Sequence, residues 1–122
     1  MRTIKSINEL NIPPNYQAYL SAYLRNIKDI PYISRVILFG SCARENVRKY
    51  SDIDIFVTVN RDISLAEEFL ISCDSLPEYE MDTHISTDIL VQTETKFDNF
   101  SDSFGMVQKQ VIKDGVDLSG LL

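Results

Sequence analysis

Two aspartates and a Gly-Ser pair are the residues whose types and spacing best suit chemistry. Gly40 and Ser41 follow the apolar run "VILF", and Asp52 and Asp54 come ten residues later, at the start of a second apolar run. Side chains two residues apart in a strand point the same way, about 6.5–7 Å apart. Asp52 and Asp54 are therefore predicted to present two carboxylates from one face of a rigid strand.

Two carboxylates this close repel each other unless a cation lies between them. Their oxygens suit Mg²⁺, which proteins commonly hold with one or two carboxylates and substrate phosphates. A third carboxylate on the next strand would complete positions for two ions. Asp82, on the polar face of "EYEMDTHI", is the predicted third ligand because it lies deeper in that strand than the alternative, Glu80. His84 shares the face and is interpreted as a solvated side chain rather than a phosphate ligand.

The Gly-Ser pair predicts a phosphate site. A glycine between a strand and a helix lets the backbone approach a ligand closely, and a helix N-terminus offers N–H groups and a partial positive charge. Ser41 adds a hydroxyl and Arg44 a permanent charge. A Gly-Ser turn alone, or two aspartates that protect a strand edge, would mean little. Together they predict a site for a nucleoside triphosphate bound with Mg²⁺.

Hydrophobic periodicity predicts an α/β domain that positions these residues. Apolar spacing of three and four predicts a helix from "IPP" to Pro31, and its tyrosines are interpreted as core and rim. These are Tyr16, Tyr19 and Tyr23. Strands are predicted over 34–40, 51–59 and 78–85, and helices over 41–46 and 62–76, the latter capped by Asp62 or Ser64.

The C-terminal third is less regular. Residues 86–97 are compatible with either a helix or a strand. Residues 101–115 predict a final helix that Ser101 or Ser103 caps and Gly115 closes. The predicted order is thus α-β-α-β-α-β, an undecided segment, and α, which defines a small layered α/β domain.

Composition favours one soluble domain over residues 1–122. Hydrophobic residues make up 44% and charged residues 25%, which disfavours disorder. The apolar runs are far shorter than a membrane span and the N-terminus lacks a signal peptide, so we expect a cytoplasmic protein with no membrane partner. Cys42 and Cys73 are expected to be free thiols, with no nucleophilic role for Cys42. The net charge of -6 disfavours direct nucleic-acid binding and suits a basic partner protein or metal cations.

The stretch "GSCARENVRKYSDIDIFV" resembles the G-S-x(about 10)-D-x-D signature of the nucleotidyltransferase superfamily typified by DNA polymerase beta. The "GS-x-AR" opening and the "SDIDI" ending are most similar to the minimal nucleotidyltransferases of bacteria and archaea, and "VIKDGVDL" is similar to the ending that many of them carry. The resemblance covers about Val36 to Leu118. It implies a small mixed β-sheet flanked by α-helices and transfer of a nucleoside monophosphate to an acceptor.

The resemblance also implies roles for individual residues. Asp52 and Asp54 would bind both Mg²⁺ ions, and Asp82 would ligate one ion and help to deprotonate the acceptor hydroxyl. Gly40 and Ser41 would contact the β- and γ-phosphates, beside Arg44. The donor expected from the family is ATP, although no residue of this sequence is identified as selecting adenine.

The acceptor is the open question. A chain this short has no room for an acceptor-binding domain, so we expect a partner protein, with a homo-oligomer also possible. Minimal nucleotidyltransferases of this kind are similar to antitoxins that adenylylate a tyrosine of a HEPN-domain RNase toxin, and this is the predicted function. The alternatives are transfer to a small hydroxyl compound such as an aminoglycoside, and a module that neutralises its partner by contact alone.

Overall fold

The computed structural model describes residues 1–77, 85–99 and 105–122, leaving aside the side chains of 105–108 and 110. Its strands are β1 (Arg2–Thr3), β2 (Ile33–Phe39), β3 (Ile53–Val59), β4 (Thr87–Thr93) and β5 (Val116–Asp117). Its α-helices are α1 (Pro14–Ile27), α2 (Gly40–Ala43), α3 (Leu65–Phe69), α4 (Glu94–Asp98) and α5 (Gly105–Asp114). A π-helical turn, Leu70–Asp74, continues α3, and short 3₁₀ turns cover Ile7–Glu9 and Ser119–Leu121.

The described strands form one mixed sheet in the order β1-β5-β2-β3-β4. The central strands β2 and β3 are antiparallel, as are β2 and β5, whereas β4 runs parallel to β3 and β1 runs parallel to β5. The predicted small mixed sheet with flanking helices is therefore confirmed. Since β3 and β4 are parallel, the chain must cross over between them, and α3 and the π turn are the described helical part of that connection.

The larger core lies between α1 and one face of the sheet. Buried residues of α1, including Leu20, Tyr23 and Ile27, pack on the face that carries Leu38 and Ile55. The helix begins at Pro14, whose missing N–H costs nothing in the first turn. The predicted helix after "IPP" is confirmed, because its apolar stripe recurs at the helical period that this sheet face buries.

A smaller core covers the opposite face of the sheet and consists of Ile37, Phe39, Phe56, Phe97 and Val111. The rings of Phe56 and Phe97 lie 5.1 Å apart in a tilted arrangement, a favourable geometry for aromatic pairs. Helices α4 and α5 supply Phe97 and Val111, so both helices lie on this side. This face also carries Asp54, which is in register with Phe39.

Several predicted boundaries change. The short helix is Gly40–Ala43 rather than 41–46, and β3 begins at Ile53 rather than at 51. Ser64, not Asp62, caps α3 through a reciprocal capping box with Glu67. Residues 86–97 contain both alternatives, a strand followed by a short helix.

Two further differences concern strands that were not predicted and predicted elements that lie outside the described residues. The two-residue strands β1 and β5 were not predicted, because two residues carry no readable period. The predicted strand over 78–85 falls, apart from Ile85, outside the described residues, as do the predicted caps Ser101 and Ser103.

Candidate active site

The turn from β2 into α2 brings Gly40 directly against Asp54. Gly40 has a φ of +74°, a backbone conformation that residues other than glycine rarely adopt. A Cβ placed there would lie 2.4 Å from the Asp54 Oδ2 atom. The contact arises because Phe39, the last residue of β2, is paired with Asp54 in β3. The glycine of the Gly-Ser pair is therefore required both by its backbone conformation and by the carboxylate that it contacts.

Asp54 has a second acidic neighbour, which is distant in sequence and was not among the predicted site residues. In the parallel pairing of β3 and β4, the Cα partner of Asp54 is Asp88. Paired residues of neighbouring strands point to the same face, so both carboxylates project toward the side of α5. Asp52 directly precedes β3 and is two residues from Asp54. The structure thus brings Asp52, Asp54 and Asp88 to the same end of two adjacent strands.

The electrostatics of Asp54 reflect this crowding. Burial is the largest cause that raises its pKa, followed by the negative charges of Asp88 and Asp52. The positive charge of Arg44 acts in the opposite direction and lowers the pKa of Asp54. Arg44 also lies 4.0 Å from the Asp114 carboxylate at the end of α5. The site therefore holds an excess of negative charge that a cation would relieve.

Asp52 is held by contacts from two directions. The Ser86 hydroxyl donates a hydrogen bond to Asp52 Oδ1, and the backbone N–H of Ile53 donates to the Ser86 carbonyl at 2.9 Å. On the other side, the Cys42 thiol donates to the Asp52 carbonyl at 3.5 Å. These contacts fix the segment that leads into β3, so Asp52 keeps a defined position although it precedes the strand.

Cys42 is a structural thiol. Its side chain is fully buried, and burial, followed by the charges of Asp54 and Asp52, raises its pKa to about 12. The thiolate is the nucleophilic form of cysteine, and at neutral pH it is almost absent at such a pKa. The environment of Cys42 thus agrees with the prediction that it is not a nucleophile.

The tyrosines of α1 support the acidic site from the far face of the sheet. The Tyr16 hydroxyl donates to the Ser51 carbonyl at 2.7 Å, and Tyr19 accepts a hydrogen bond from the Thr87 hydroxyl at 2.8 Å. Ser51 precedes Asp52, and Thr87 precedes Asp88. These tyrosines therefore tie α1 to both segments that carry the carboxylates, while their rings fill the core, as their interpretation as core and rim requires.

A basic loop lies between α2 and β3. Arg48 and Lys49 line a cavity of about 530 Å³ that extends to Tyr16 and Ile85, one residue from Ser86. The loop is shaped locally, since the Arg48 N–H donates to the Ser51 hydroxyl at 2.8 Å and Tyr50 has a φ of 67°. The cavity thus places two cationic side chains on the Asp52 side of the site.

The donor set fits Mg²⁺. Carboxylate oxygens are hard ligands, and the uncompensated charge around Asp54 favours a divalent cation. Within residues 1–77, 85–99 and 105–122, no three His, Cys, Asp or Glu side chains form a ready-made metal cluster. The predicted third ligand Asp82, its alternative Glu80, and His84 all lie outside the described residues.

A mixed sheet that places paired carboxylates beside a Gly-Ser turn defines a nucleotidyltransferase type of fold and site. Residues 20–117 match the nucleotidyltransferase domain family, and the chain belongs to this family. It is accordingly a nucleotidyltransferase. A search of curated proteins finds no match.

Solved structures share the fold at low identity. A toxin-antitoxin structure with AMP-PNP superposes with a TM-score of 0.53 at 21% identity, covering 83% of this chain and 70% of that chain. A protein from Sulfolobus solfataricus assigned as a nucleotidyltransferase gives a TM-score of 0.53 at 19% identity, covering 93% of this chain and 86% of the other.

In the described part of the chain, no helix combines the length and apolar character needed to cross a membrane.

Proposed function

We propose that this nucleotidyltransferase transfers AMP from ATP to a tyrosine hydroxyl of a HEPN-type toxin and thereby acts as its antitoxin. The observation that carries the proposal is that the carboxylates of Asp52, Asp54 and Asp88 lie at the same end of two adjacent strands, beside the Gly40 turn. The similarity to a toxin-antitoxin structure with AMP-PNP supports an adenine nucleotide and a toxin as the partner. The net charge of -6 would favour association with a basic, RNA-binding toxin.

In the proposed reaction, the acceptor hydroxyl oxygen forms a bond to the α-phosphorus of ATP. The bond from that phosphorus to the bridging oxygen breaks, and pyrophosphate leaves with the electron pair. The hydroxyl proton passes to a carboxylate and then to solvent. Bound Mg²⁺, held by Asp52, Asp54 and a third carboxylate, would neutralise the developing charge on the phosphate oxygens.

The chain's own residues would prepare the substrates for this step. Gly40 and Ser41 would lie against the β- and γ-phosphates, in a turn whose glycine also allows close contact with Asp54. Arg44, whose charge already acts on Asp54, would offset phosphate charge. The Ser86 hydroxyl would keep the Asp52 carboxylate oriented before the substrates bind, and the Cys42 thiol would hold the Asp52 backbone.

The third carboxylate has two candidates under this proposal. Asp82 is the one that the sequence pattern favours, whereas Asp88 is the one beside Asp54 in the described sheet. Separate Asp82→Asn and Asp88→Asn variants distinguish them. The Asn substitution of the residue that acts as ligand and proton acceptor should lower kcat by about 100-fold or more. The Asn substitution of the other aspartate should change kcat by less than about threefold.

The test of the function is label transfer from ATP that carries a radioactive α-phosphate. Purified protein and Mg²⁺ are mixed with lysate of the native host, beside the Asp52→Asn and Asp54→Asn variants. A labelled protein band that needs both aspartates, with AMP on a tyrosine by mass spectrometry, supports the proposal. Label only in small molecules would favour an enzyme that modifies a compound such as an aminoglycoside. Absence of any label, together with absent Mg²⁺-ATP binding, would favour a module that acts by contact alone.

A further inference from the structure

Helix α3, in the connection between β3 and β4, exposes large apolar side chains. Leu65 is 78% exposed and Phe69 is 54% exposed, and the two lie one helical turn apart on α3. With Ala66 between them they line a shallow surface cavity of about 540 Å³ that Asp74 borders. We call Leu65, Ala66 and Phe69 the α3 face.

The α3 face is held in place from below. Ser64 and Glu67 form a complete capping box at the start of the helix. The buried Tyr23 hydroxyl donates to the Ile71 carbonyl at 2.8 Å, and the Asn26 side chain donates to the Ser75 carbonyl at 2.9 Å. Ile71 itself is fully buried. The exposure of the α3 face is therefore a property of a fixed helix, because the opposite side of the same crossover is already committed to the core.

Acidic residues surround the α3 face. The segment from Arg61 to Asp74 contains four carboxylates and one arginine. That arginine is engaged, since Arg61 donates to the Glu67 carboxylate at 2.7 Å and lies over the Tyr32 ring at 4.3 Å. Glu68 and Asp74 are exposed beside the apolar residues. The surface is thus an apolar centre with a negative rim.

The position of the α3 face relates it to the active site. The π turn that continues α3 packs against β4, and β4 is the outer strand on this side of the described sheet. Asp88 projects from the opposite face of the same strand. A protein that docked on α3 and extended around the edge of β4 would reach the carboxylates.

We propose that the α3 face is the docking surface for the acceptor protein, which presents an apolar patch with lysines or arginines at its rim. This inference rests on the proposed function and adds the place where the partner binds. A second copy of the chain fits the surface less well. Two such faces in contact would oppose their own acidic rims, at a net charge of -6 for each chain.

The test measures binding of a purified HEPN-type toxin of the native host, in the absence of nucleotide, by biolayer interferometry. A Leu65→Ser, Phe69→Ser variant removes the apolar centre, and Glu68→Lys reverses one rim charge. Leu122→Ser is the matched control, since Leu122 is 41% exposed and lies after β5 toward the other edge of the sheet. Melting temperature and calorimetric Mg²⁺-ATP binding report whether each variant keeps its fold and nucleotide site.

We expect the double variant to weaken binding at least about 100-fold, because each buried apolar side chain contributes about tenfold or more. Glu68→Lys should mainly slow association, and this effect should fade at high salt. Leu122→Ser should bind as the wild type does. An Asp54→Asn variant should bind the partner normally but transfer no label, which separates docking from chemistry.

Three results would overturn the inference. Wild-type affinity in the double variant, with transfer still dependent on Asp54, would refute the docking surface and leave the proposed function intact. Loss of self-association in the double variant, with unchanged partner binding, would assign the α3 face to a second copy. Failure of the wild-type chain to bind the HEPN-type protein at all would refute both proposals.

Discussion

Gly40→Ala is the most informative single substitution, because it changes one methyl group at the point where the turn meets the carboxylates. The added Cβ would lie 2.4 Å from Asp54 Oδ2, whereas ordinary contact begins near 3.4 Å. The carboxylate or the turn must therefore move by about 1 Å, and a misplacement of about 1 Å can cost about 100-fold in rate. We expect kcat/KM for AMP transfer to fall about 100-fold, equivalent to about 2.7 kcal/mol.

The same substitution should also lower the stability of the fold. A non-glycine residue at the positive φ of Gly40 costs on the order of 1–3 kcal/mol. For a domain of 122 residues, 1 kcal/mol corresponds to a shift in melting temperature of about 4 °C. The melting temperature of Gly40→Ala should therefore fall by about 4–12 °C, and transfer should be assayed at a temperature where the variant remains folded.

Gly120→Ala provides the control. Gly120 has no positive φ, and a Cβ there would meet only the Ile4 carbonyl at 3.7 Å, an ordinary contact. This variant should transfer AMP at the wild-type rate and melt at nearly the wild-type temperature. Activity of Gly40→Ala within about threefold of the wild type would contradict this prediction. It would mean that the catalytic position of Asp54 does not require a residue without a side chain at position 40.

Other predictions concern single contacts. Tyr23→Phe leaves the buried Ile71 carbonyl without its hydrogen bond and should cost about 1–2 kcal/mol of unfolding free energy in urea melts, with unchanged transfer kinetics; a lower kcat in folded protein would contradict this. Gly115→Ala would place a Cβ 2.2 Å from the Val111 carbonyl and should cost about 1–3 kcal/mol by the same measurement, well beyond Gly120→Ala. In native protein at pH 8, a thiol reagent should modify exposed Cys73 and spare buried Cys42, whose pKa is raised to about 12. In denaturant, Cys42 should react as well. Rapid modification of both thiols in native protein would be inconsistent with the burial of Cys42.

The crossover segment shows where local sequence rules apply and where they fail. The apolar spacing of residues 62–76 predicted one helix, and Ser64 with Glu67 is a readable start signal. The change from α3 to a π turn at Leu70 has no such signal. It accompanies hydrogen bonds from Tyr23 and Asn26, which are about 50 residues earlier in the chain.

Local spacing determined the main features of the candidate site. The apolar stripe of α1 is a property of a short stretch, and it is buried as the pattern predicts. The Gly-Ser pair and the two-residue spacing of Asp52 and Asp54 are also local, and the structure places Gly40 against Asp54. Strand and helix periods are set by backbone geometry, so they can be read without knowledge of the rest of the chain. The family resemblance depends on the same residues.

Only the tertiary structure places Asp88 beside Asp54. In sequence, Asp88 was one acidic residue in a segment that could be helix or strand, and nothing local marked it. Parallel pairing of β4 with β3, in a register that aligns Asp88 with Asp54, places it there. Register between strands 34 residues apart depends on packing across the whole sheet, because a shift of one residue would turn every side chain of β4 to the other face.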